Sequence, residues 1–250
     1  MAAILVTGGN RGIGFGIVQA IAERLPDSLV IIGCRSNVAG DEAVTKLREL
    51  GVKTNLDVLQ LDIEDDASIT AAVATVDQKH GKLDVLVNNA ANLEIASSSG
   101  LSEIRSKTNA VYNNCITSNG IVTQAFLSLL RKAEYPRVIM NSSARGSLTR
   151  TASRELPPVS LVDYCVAKAA LNMLTLHFQL AEEQRQDGNR VVFWATSPGH
   201  CKTAFNNFRG VKEPIDGAEA IVRLLESEKG VTEPGTFWEF EQGEFRMVPW

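Results

Sequence analysis

The stretch that decides the fold is Thr7-Gly8-Gly9-Asn10-Arg11-Gly12-Ile13-Gly14. It follows the short apolar run Ala3 to Thr7, which has the character of a buried strand, and it precedes a helical pattern over residues 12 to 25. Glycines at such a junction permit positive φ in the turn and close packing of the helix against the strand. The stretch therefore predicts a strand, a tight turn and a helix, the first unit of a parallel sheet.

Apolar, β-branched runs alternate with helical patterns along the rest of the chain, as in a parallel sheet with helices on both faces. Further strands are predicted at Leu29 to Gly33, Val58 to Ile63, Val85 to Asn88, Arg137 to Asn141, Val191 to Ala195 and Thr236 to Phe240. Helices are predicted at residues 40 to 50, 66 to 80, 101 to 133, 162 to 187 and 214 to 227. Since no linker or repeat divides the chain, the prediction for residues 1 to 250 is one α/β domain. It is a single doubly wound, Rossmann-type domain with a mostly parallel sheet of seven strands.

The overall charge and the amino-terminal residues exclude several classes of function. The formal net charge is -4, whereas binding to nucleic acid needs clustered lysine and arginine, so we expect a small-molecule partner and no nucleic acid. The first residues lack a basic region and turn polar after a very short apolar run, unlike a signal peptide or a membrane anchor. A cytoplasmic protein without a membrane partner is therefore expected.

The cysteines and histidines do not form a metal-binding pattern. The four cysteines are widely separated and include no Cys-x-x-Cys pair, and the three histidines lack ligand spacing. No metal site is expected, and Cys34, Cys115, Cys165 and Cys201 are expected to be reduced thiols.

The position of the glycine stretch suggests its ligand. In this type of fold the pyrophosphate of a dinucleotide meets the amino terminus of the first helix, where free backbone N–H groups point at the anion. The predicted contacts are Gly8, Asn10, Arg11, Gly12, Ile13 and Gly14. A purely structural turn is the alternative.

The end of the second predicted strand favours NADP(H) over NAD(H). NAD sites usually place an acidic residue there to accept the ribose hydroxyls, but this chain has Gly33-Cys34-Arg35-Ser36-Asn37. Arg35 could pair with a 2'-phosphate through its planar fork of donors, and Arg11 in the glycine turn could add a second cation. The alternative is that both arginines are solvated surface residues.

Three residues in the second half of the chain are candidate catalytic residues. Tyr164 and Lys168 are four residues apart, so on a helix both project from one face, and Ser143 ends the fifth predicted strand. Reduction of a carbonyl puts charge on its oxygen, and a phenol next to an ammonium can deliver a proton there. Together with Thr-Gly-x-x-x-Gly-Ile-Gly, these residues resemble the Ser-Tyr-Lys set of the short-chain dehydrogenase/reductase family. The Asn10-Arg11 turn is most similar to its carbonyl-reductase-like members.

The resemblance implies further roles. Ser143, rather than the preceding Ser142, would bind the substrate oxygen, Tyr164 would be the acid, and Lys168 would also bind the nicotinamide ribose. Additional cofactor contacts implied by the family are Asp62, Ile63, Asn89, Ala90, Pro198, Gly199 and Thr203, together with Tyr164 and Lys168. The implied function is NADPH-dependent reduction of a ketone or aldehyde to an alcohol. The alternatives are a specialised biosynthetic ketoreductase for one metabolite and a non-catalytic NADP(H)-binding sensor.

The chain departs from the family pattern at three places. Ala91 follows Asn-Asn-Ala where the family usually has glycine, and Cys115 stands where an asparagine commonly helps to hold a water that resupplies protons. Asn114 or Asn119 could substitute for it, or the relay could be weakened. The segment between Ser143 and Tyr164 is longer than usual, and it is either a lid or a solvated loop.

The predicted helix around Tyr164 to Gln184 has apolar residues on more than one face. Its second face is covered either within the monomer or by another subunit, which would make the protein a homodimer or a homotetramer.

Overall fold

The computed structural model describes residues 1–159 and 161–250, and within them eight strands form one sheet. The spatial order is β3-β2-β1-β4-β5-β6-β7-β8, and all neighbours are parallel except the last pair. The strands are β1 (Ala3–Thr7), β2 (Leu29–Cys34), β3 (Asn55–Gln60), β4 (Val85–Asn88), β5 (Arg137–Asn141), β6 (Val192–Ser197), β7 (Thr236–Glu241) and β8 (Glu244–Met247). The predicted α/β fold with a mostly parallel sheet is confirmed.

Helices cover both faces of the sheet. They are α1 (Gly12–Arg24), α2 (Asn37–Glu49), α3 (Asp66–His80), α4 (Leu101–Tyr112), α5 (Asn119–Leu130), α6 (Leu148–Ala152), α7 (Val162–Glu183) and α8 (Glu219–Glu226). A π-helical turn, Asn113–Ser118, joins α4 to α5 and is called the π-turn below. Among the described residues, every helix is too short or too polar to cross a bilayer.

The alternation of side chains along β1 builds two cores. Ile4 and Val6 pack into a layer with α1, α2 and α8, while Ala3 and Leu5 pack on the opposite side with α3, α5 and α7. All five residues of β1 are buried because both faces of a parallel sheet are covered by helices. The glycine turn therefore begins at the end of a strand that is buried in the centre of the sheet.

The prediction of seven strands was wrong by one. The eighth strand, β8, pairs antiparallel with β7 through a two-residue turn in which Gln242 and Gly243 have φ of 54° and 84°. Positive φ at both central residues is typical of the tight turns that fit the twist of a hairpin. Trp238 stacks on Phe245 across the pair, with ring centroids 4.5 Å apart.

Other predicted boundaries also differ from the structure. β3 lies at Asn55–Gln60 rather than at Val58 to Ile63, because Leu29 pairs with Asn55 and Cys34 with Gln60 in the register with β2. The single helix predicted over residues 101 to 133 is instead α4, the π-turn and α5.

Helix α7 has one buried and one exposed face. Its buried side includes Leu171 and Thr175, whereas Val166, Met173 and Leu180 are about half exposed. These three side chains are therefore not covered by the described part of the monomer. A subunit contact over this face stays a prediction.

Candidate active site

The glycine turn has the geometry that a bound pyrophosphate requires. Gly8 and Gly12 have φ of +64° and +56°, a region that disfavours other residues. A Cβ atom added to Gly14 would lie 2.0 Å from the carbonyl oxygen of Gly8, so only glycine fits there. The turn therefore brings backbone, rather than side chains, to the surface where a ligand would lie.

Helix α1 starts at this turn with its first N–H groups uncapped. Arg11, which precedes the helix, makes no capping hydrogen bond with its side chain, and the first turn contains no acidic residue. Thr203, predicted to contact phosphate, lies beside Gly12, 3.6 Å from the position of an added Cβ. An uncapped helix amino terminus with a neighbouring hydroxyl fits a dinucleotide phosphate well.

The loop after β4 is hydrogen-bonded to Thr7, where the glycine turn begins. The hydroxyl of Thr7 accepts hydrogen bonds from the backbone N–H groups of Asn89 and Ala90, both at 3.0 Å. The side chain of Asn89 donates to the carbonyl oxygen of Thr7 at 2.9 Å and accepts from Asn141 at 2.9 Å. The carboxyl ends of β1, β4 and β5 are thus joined by side chains, at the edge where ligands bind in this type of fold.

The residues predicted to hold the adenosine half lie in the glycine turn and after β2 and β3. Arg11 and Arg35 are exposed, and neither forms an ion pair within the described part of the chain. Asp62 is partly buried and accepts a hydrogen bond from the N–H of Glu64 at 3.1 Å, while Ile63 is buried. Two cations are therefore free to meet an added phosphate.

The segment after β6 reaches the glycine turn only in part. Thr203 lies beside Gly12, but the space next to Gly199 is filled by Glu241 and Lys212. Pro198 is buried and lies against Gly217. Of these three predicted cofactor contacts, Thr203 is the one that the structure brings to the turn.

Ser143, Tyr164 and Lys168 converge at the carboxyl end of β5. Tyr164 and Lys168 lie one turn apart on α7, with the lysine Nζ 5.7 Å from the centroid of the phenol ring. Ser143 follows β5 and is only partly buried, whereas Ser142 is buried and its hydroxyl donates to Asn172 at 2.6 Å. Ser142 therefore has a structural partner, and the hydroxyl at the site is that of Ser143.

The ammonium of Lys168 is buried and donates to the carbonyl oxygen of Asn141 at 2.8 Å. Burial lowers the pKa of Lys168, because the charged form loses its hydration, and the adjacent Cys115 opposes this effect. Gly146 packs against the backbone of this lysine so tightly that an added Cβ would lie 2.6 Å from its carbonyl carbon.

The phenol of Tyr164 is held in its neutral form. Burial raises the pKa of Tyr164 above its ordinary value, Cys115 adds to the rise, and the Ser143 hydroxyl opposes it. Lys168 is not among the groups that shift this pKa, and the net change is upward. At neutral pH the phenol is therefore protonated.

Comparisons with known proteins agree with this geometry. The sequence profile of the family described as short chain dehydrogenase matches residues 2–213. The chain is 39% identical to a short-chain dehydrogenase/reductase of Aspergillus fumigatus, over 99% of this chain and 97% of that protein. The chain belongs to the short-chain dehydrogenase/reductase family. It is also 36% identical to (+)-neomenthol dehydrogenase of Arabidopsis thaliana, over 95% of this chain and 96% of that protein.

A solved structure extends the similarity to carbonyl reductases. The NADPH-bound carbonyl reductase from chicken fatty liver superposes with a TM-score of 0.80 at 27% identity, covering 100% of this chain and 99% of that one. The carbonyl-reductase-like resemblance seen in the sequence is thereby confirmed.

In this short-chain dehydrogenase/reductase the π-turn surrounds the unusual cysteine. Cys115 is fully buried and packs with Ala167, between Tyr164 and Lys168 on α7. The side chain of Asn119 donates at 3.0 Å to the carbonyl oxygens of both Asn114 and Cys115. Neither Asn114 nor Asn119 is hydrogen-bonded to Lys168 within the described residues.

The long segment before Tyr164 is firmly attached over its first half. The guanidinium of Arg150 makes two hydrogen bonds to the buried carboxylate of Glu239 on β7, at 2.8 and 2.7 Å. The hydroxyl of Ser147 donates to the carbonyl oxygen of Pro249 at 2.5 Å, and Thr149 binds an oxygen of Trp250 through its N–H at 3.0 Å. This half is therefore a fixed platform beside Ser143, neither a lid nor a solvated loop.

A further feature of the site was missed by sequence reasoning. The ring of Phe205 lies 5.7 Å from that of Tyr164, at a tilt of 58°, and so borders the candidate acid. Nothing in the local pattern around Phe205 indicates this contact.

The described cysteines are free thiols, and no group of three or more His, Cys, Asp or Glu side chains in the described residues is arranged to hold a metal.

Proposed function

We propose that this short-chain dehydrogenase/reductase reduces a ketone or aldehyde to an alcohol with NADPH as the hydride donor. The observation that supports it most directly is the convergence of Ser143, Tyr164 and Lys168 beside a glycine turn shaped for a dinucleotide. The similarity to a carbonyl reductase with bound NADPH agrees with it.

The bound cofactor would supply a hydride to the carbonyl carbon, and the chain would manage the charge that develops on oxygen. Tyr164 would donate its phenolic proton to that oxygen, and Ser143 would stabilise it with a hydrogen bond. Lys168 would hold the nicotinamide ribose from within the buried turn of α7. Because burial raises the pKa of Tyr164, the protonated form needed for reduction is the one present at neutral pH.

The cofactor assignment rests on charge. Arg35 at the end of β2 and Arg11 in the glycine turn are exposed cations without carboxylate partners in the described residues. A 2'-phosphate would supply an anionic partner to both, whereas the bare ribose of NAD(H) would not.

The test measures NADPH oxidation with a panel of aliphatic, cyclic and aromatic carbonyl compounds. We expect turnover with at least one of them, and a Tyr164→Phe variant should lose about a thousandfold in kcat while its NADPH dissociation constant stays within threefold. Because burial raises the pKa of Tyr164, the reduction rate should show no loss at the pH where a free phenol, of pKa about 10, gives up its proton.

Binding of NADPH without turnover of any carbonyl would favour the cofactor sensor instead. An active Tyr164→Phe variant would show that another group donates the proton.

A further inference from the structure

A chain of hydrogen bonds connects the two ends of the predicted cofactor site through the π-turn. The carboxylate of Asp62 accepts from the N–H of Glu64 at 3.1 Å. The carboxylate of Glu64 accepts from the side-chain nitrogen of Asn114 at 2.9 Å, and the side-chain oxygen of Asn114 accepts from the N–H of Asn92 at 2.7 Å. Asn92 follows directly on the loop that includes Asn89 and Ala90.

Asn114 is the central member of this chain. It is buried. Its side-chain nitrogen donates a hydrogen bond to Glu64, and its side-chain oxygen accepts one from Asn92. The next residue, Cys115, directs its thiol at the carbonyl oxygen of Asn92, 3.8 Å away. Both backbone polar groups of Asn92 are thus held by consecutive residues of the π-turn.

The same turn contacts the helix that carries the candidate acid. Cys115 packs with Ala167 of α7, and Ala91 and Leu93 on the two sides of Asn92 join the same cluster. The position of the loop relative to Tyr164 and Lys168 therefore depends on the conformation of the π-turn. Irregular turns of this kind inside helices are frequent at functional sites.

We propose that Asn114 is a positioning residue for hydride transfer. Its two hydrogen bonds link the loop Ala91–Leu93 with the segment Asp62–Glu64. This link keeps the distance between the nicotinamide side and the adenine side of the site constant. This inference rests on the proposed function for its kinetic consequence only. The structural link to Glu64 can be tested without substrate.

The neighbouring Asn113 offers a matched control. Its side chain also donates to Glu64, at 2.9 Å, but it is exposed and has no hydrogen bond to Asn92. Asn113→Ala and Asn114→Ala remove the same atoms from adjacent residues. They differ in whether the link to the loop is lost.

The first experiment compares steady-state kinetics of the full chain. For Asn114→Ala we expect kcat to fall about tenfold, a change of about 1.4 kcal/mol in activation free energy, with both KM values within threefold. Asn113→Ala should stay within twofold of the parent in every constant. Equal effects of the two variants, or a change confined to KM, would overturn the proposal.

The second experiment measures amide hydrogen exchange by mass spectrometry, with and without NADPH. In Asn114→Ala the peptides covering residues 88–96 and 110–120 should exchange at least tenfold faster, while β2 and β5 are unchanged. Faster exchange throughout the chain would mean that Asn114 acts only in overall stability, and it would overturn the proposal.

A third variant covers the case in which Asn114→Ala does not fold. Glu64→Ala removes the anchor from an exposed side chain, so it should speed exchange in the same two regions by a smaller factor, and Glu64→Gln should restore the parent rate. No local change in Glu64→Ala would overturn the proposal. If the parent protein reduces no carbonyl, the proposed function fails while the exchange data still decide this one.

Discussion

Replacing Arg150 by methionine should show how much the ion pair with Glu239 contributes to the unfolding free energy. The guanidinium donates two hydrogen bonds to Glu239, at 2.8 and 2.7 Å, and the side chains are only 8% and 2% exposed. The variant keeps most of the side-chain volume but removes the charge and both donors. Glu239 would retain one partner, the Nε of Arg246, at 2.8 Å.

The magnitude follows from this remaining contact. Removing one partner of a buried ion pair costs about 3 to 5 kcal/mol, because the other charge is left without compensation. Since Arg246 still binds one carboxylate oxygen, we expect Arg150→Met to lose about 3 kcal/mol of unfolding free energy, at the low end of that range. Adding Glu239→Met removes the stranded charge and should recover about 2 kcal/mol.

Urea unfolding followed by circular dichroism at pH 7 would measure these free energies. Lys132→Met is a suitable control, since it breaks a pair with Asp77 in which both side chains are about half exposed, and it should change stability by less than about 0.5 kcal/mol. A loss below about 1 kcal/mol in Arg150→Met would contradict the argument that the pair is effectively desolvated.

The pair should also give a characteristic dependence on pH. Burial raises the pKa of Glu239, but the hydrogen bonds and charges of Arg150 and Arg246 outweigh it, so the net pKa lies below the ordinary 4.5. A carboxyl group with a lowered pKa in the folded state contributes stability above its unfolded pKa and loses it as pH falls through the folded value. The difference between the parent protein and Arg150→Met should therefore be full at pH 7 and shrink below about pH 4.

Two further substitutions address the cofactor site. Arg35→Asp should lower the ratio of kcat/KM for NADPH over NADH by at least about tenfold, because it replaces a phosphate partner by an acceptor for ribose hydroxyls; an unchanged ratio would place the 2'-phosphate elsewhere. Gly14→Ala would put a Cβ 2.0 Å from the carbonyl oxygen of Gly8, so NADPH affinity measured by calorimetry should fall at least about a hundredfold. Gly100→Ala, where an added Cβ would make only an ordinary contact, 3.4 Å from the hydroxyl oxygen of Ser98, is the control, and equal affinities in both variants would contradict the role given to the glycine turn.

The sequence was informative where structure is determined locally. A buried strand such as β1, a turn that only glycine fits and a helix with periodic apolar residues are each encoded within a few neighbouring residues. The order of these units along the chain then fixes a parallel sheet, because crossover connections place each helix on a face. The residues at the carboxyl ends of β1, β4 and β5 could be placed at one edge for the same reason.

The features that sequence reasoning missed depend on contacts between distant segments. The local partner of Arg150 is the exposed Glu155, which gives no sign of burial, and Glu239 lies far along the chain on β7. The π-turn is stabilised when the side chain of Asn119 takes up carbonyl groups that a regular helix would pair internally. The short strand β8 is largely exposed at the sheet edge, so it lacks the apolar run that marked the other strands.

The departures from the family pattern meet at one turn of α7. From one side, Cys115 of the π-turn packs on Ala167, and from another, Gly146 at the start of the platform packs on the backbone of Lys168. The first contact is anchored through Asn114 to Glu64, and the second through Arg150 to β7. Because one anchor follows β3 and the other lies on β7, two independent contacts fix the position of Tyr164 and Lys168 relative to the glycine turn. The sequence places Cys115 and the segment before Tyr164 among the expected departures from the family, and with both anchors present the three candidate residues lie together.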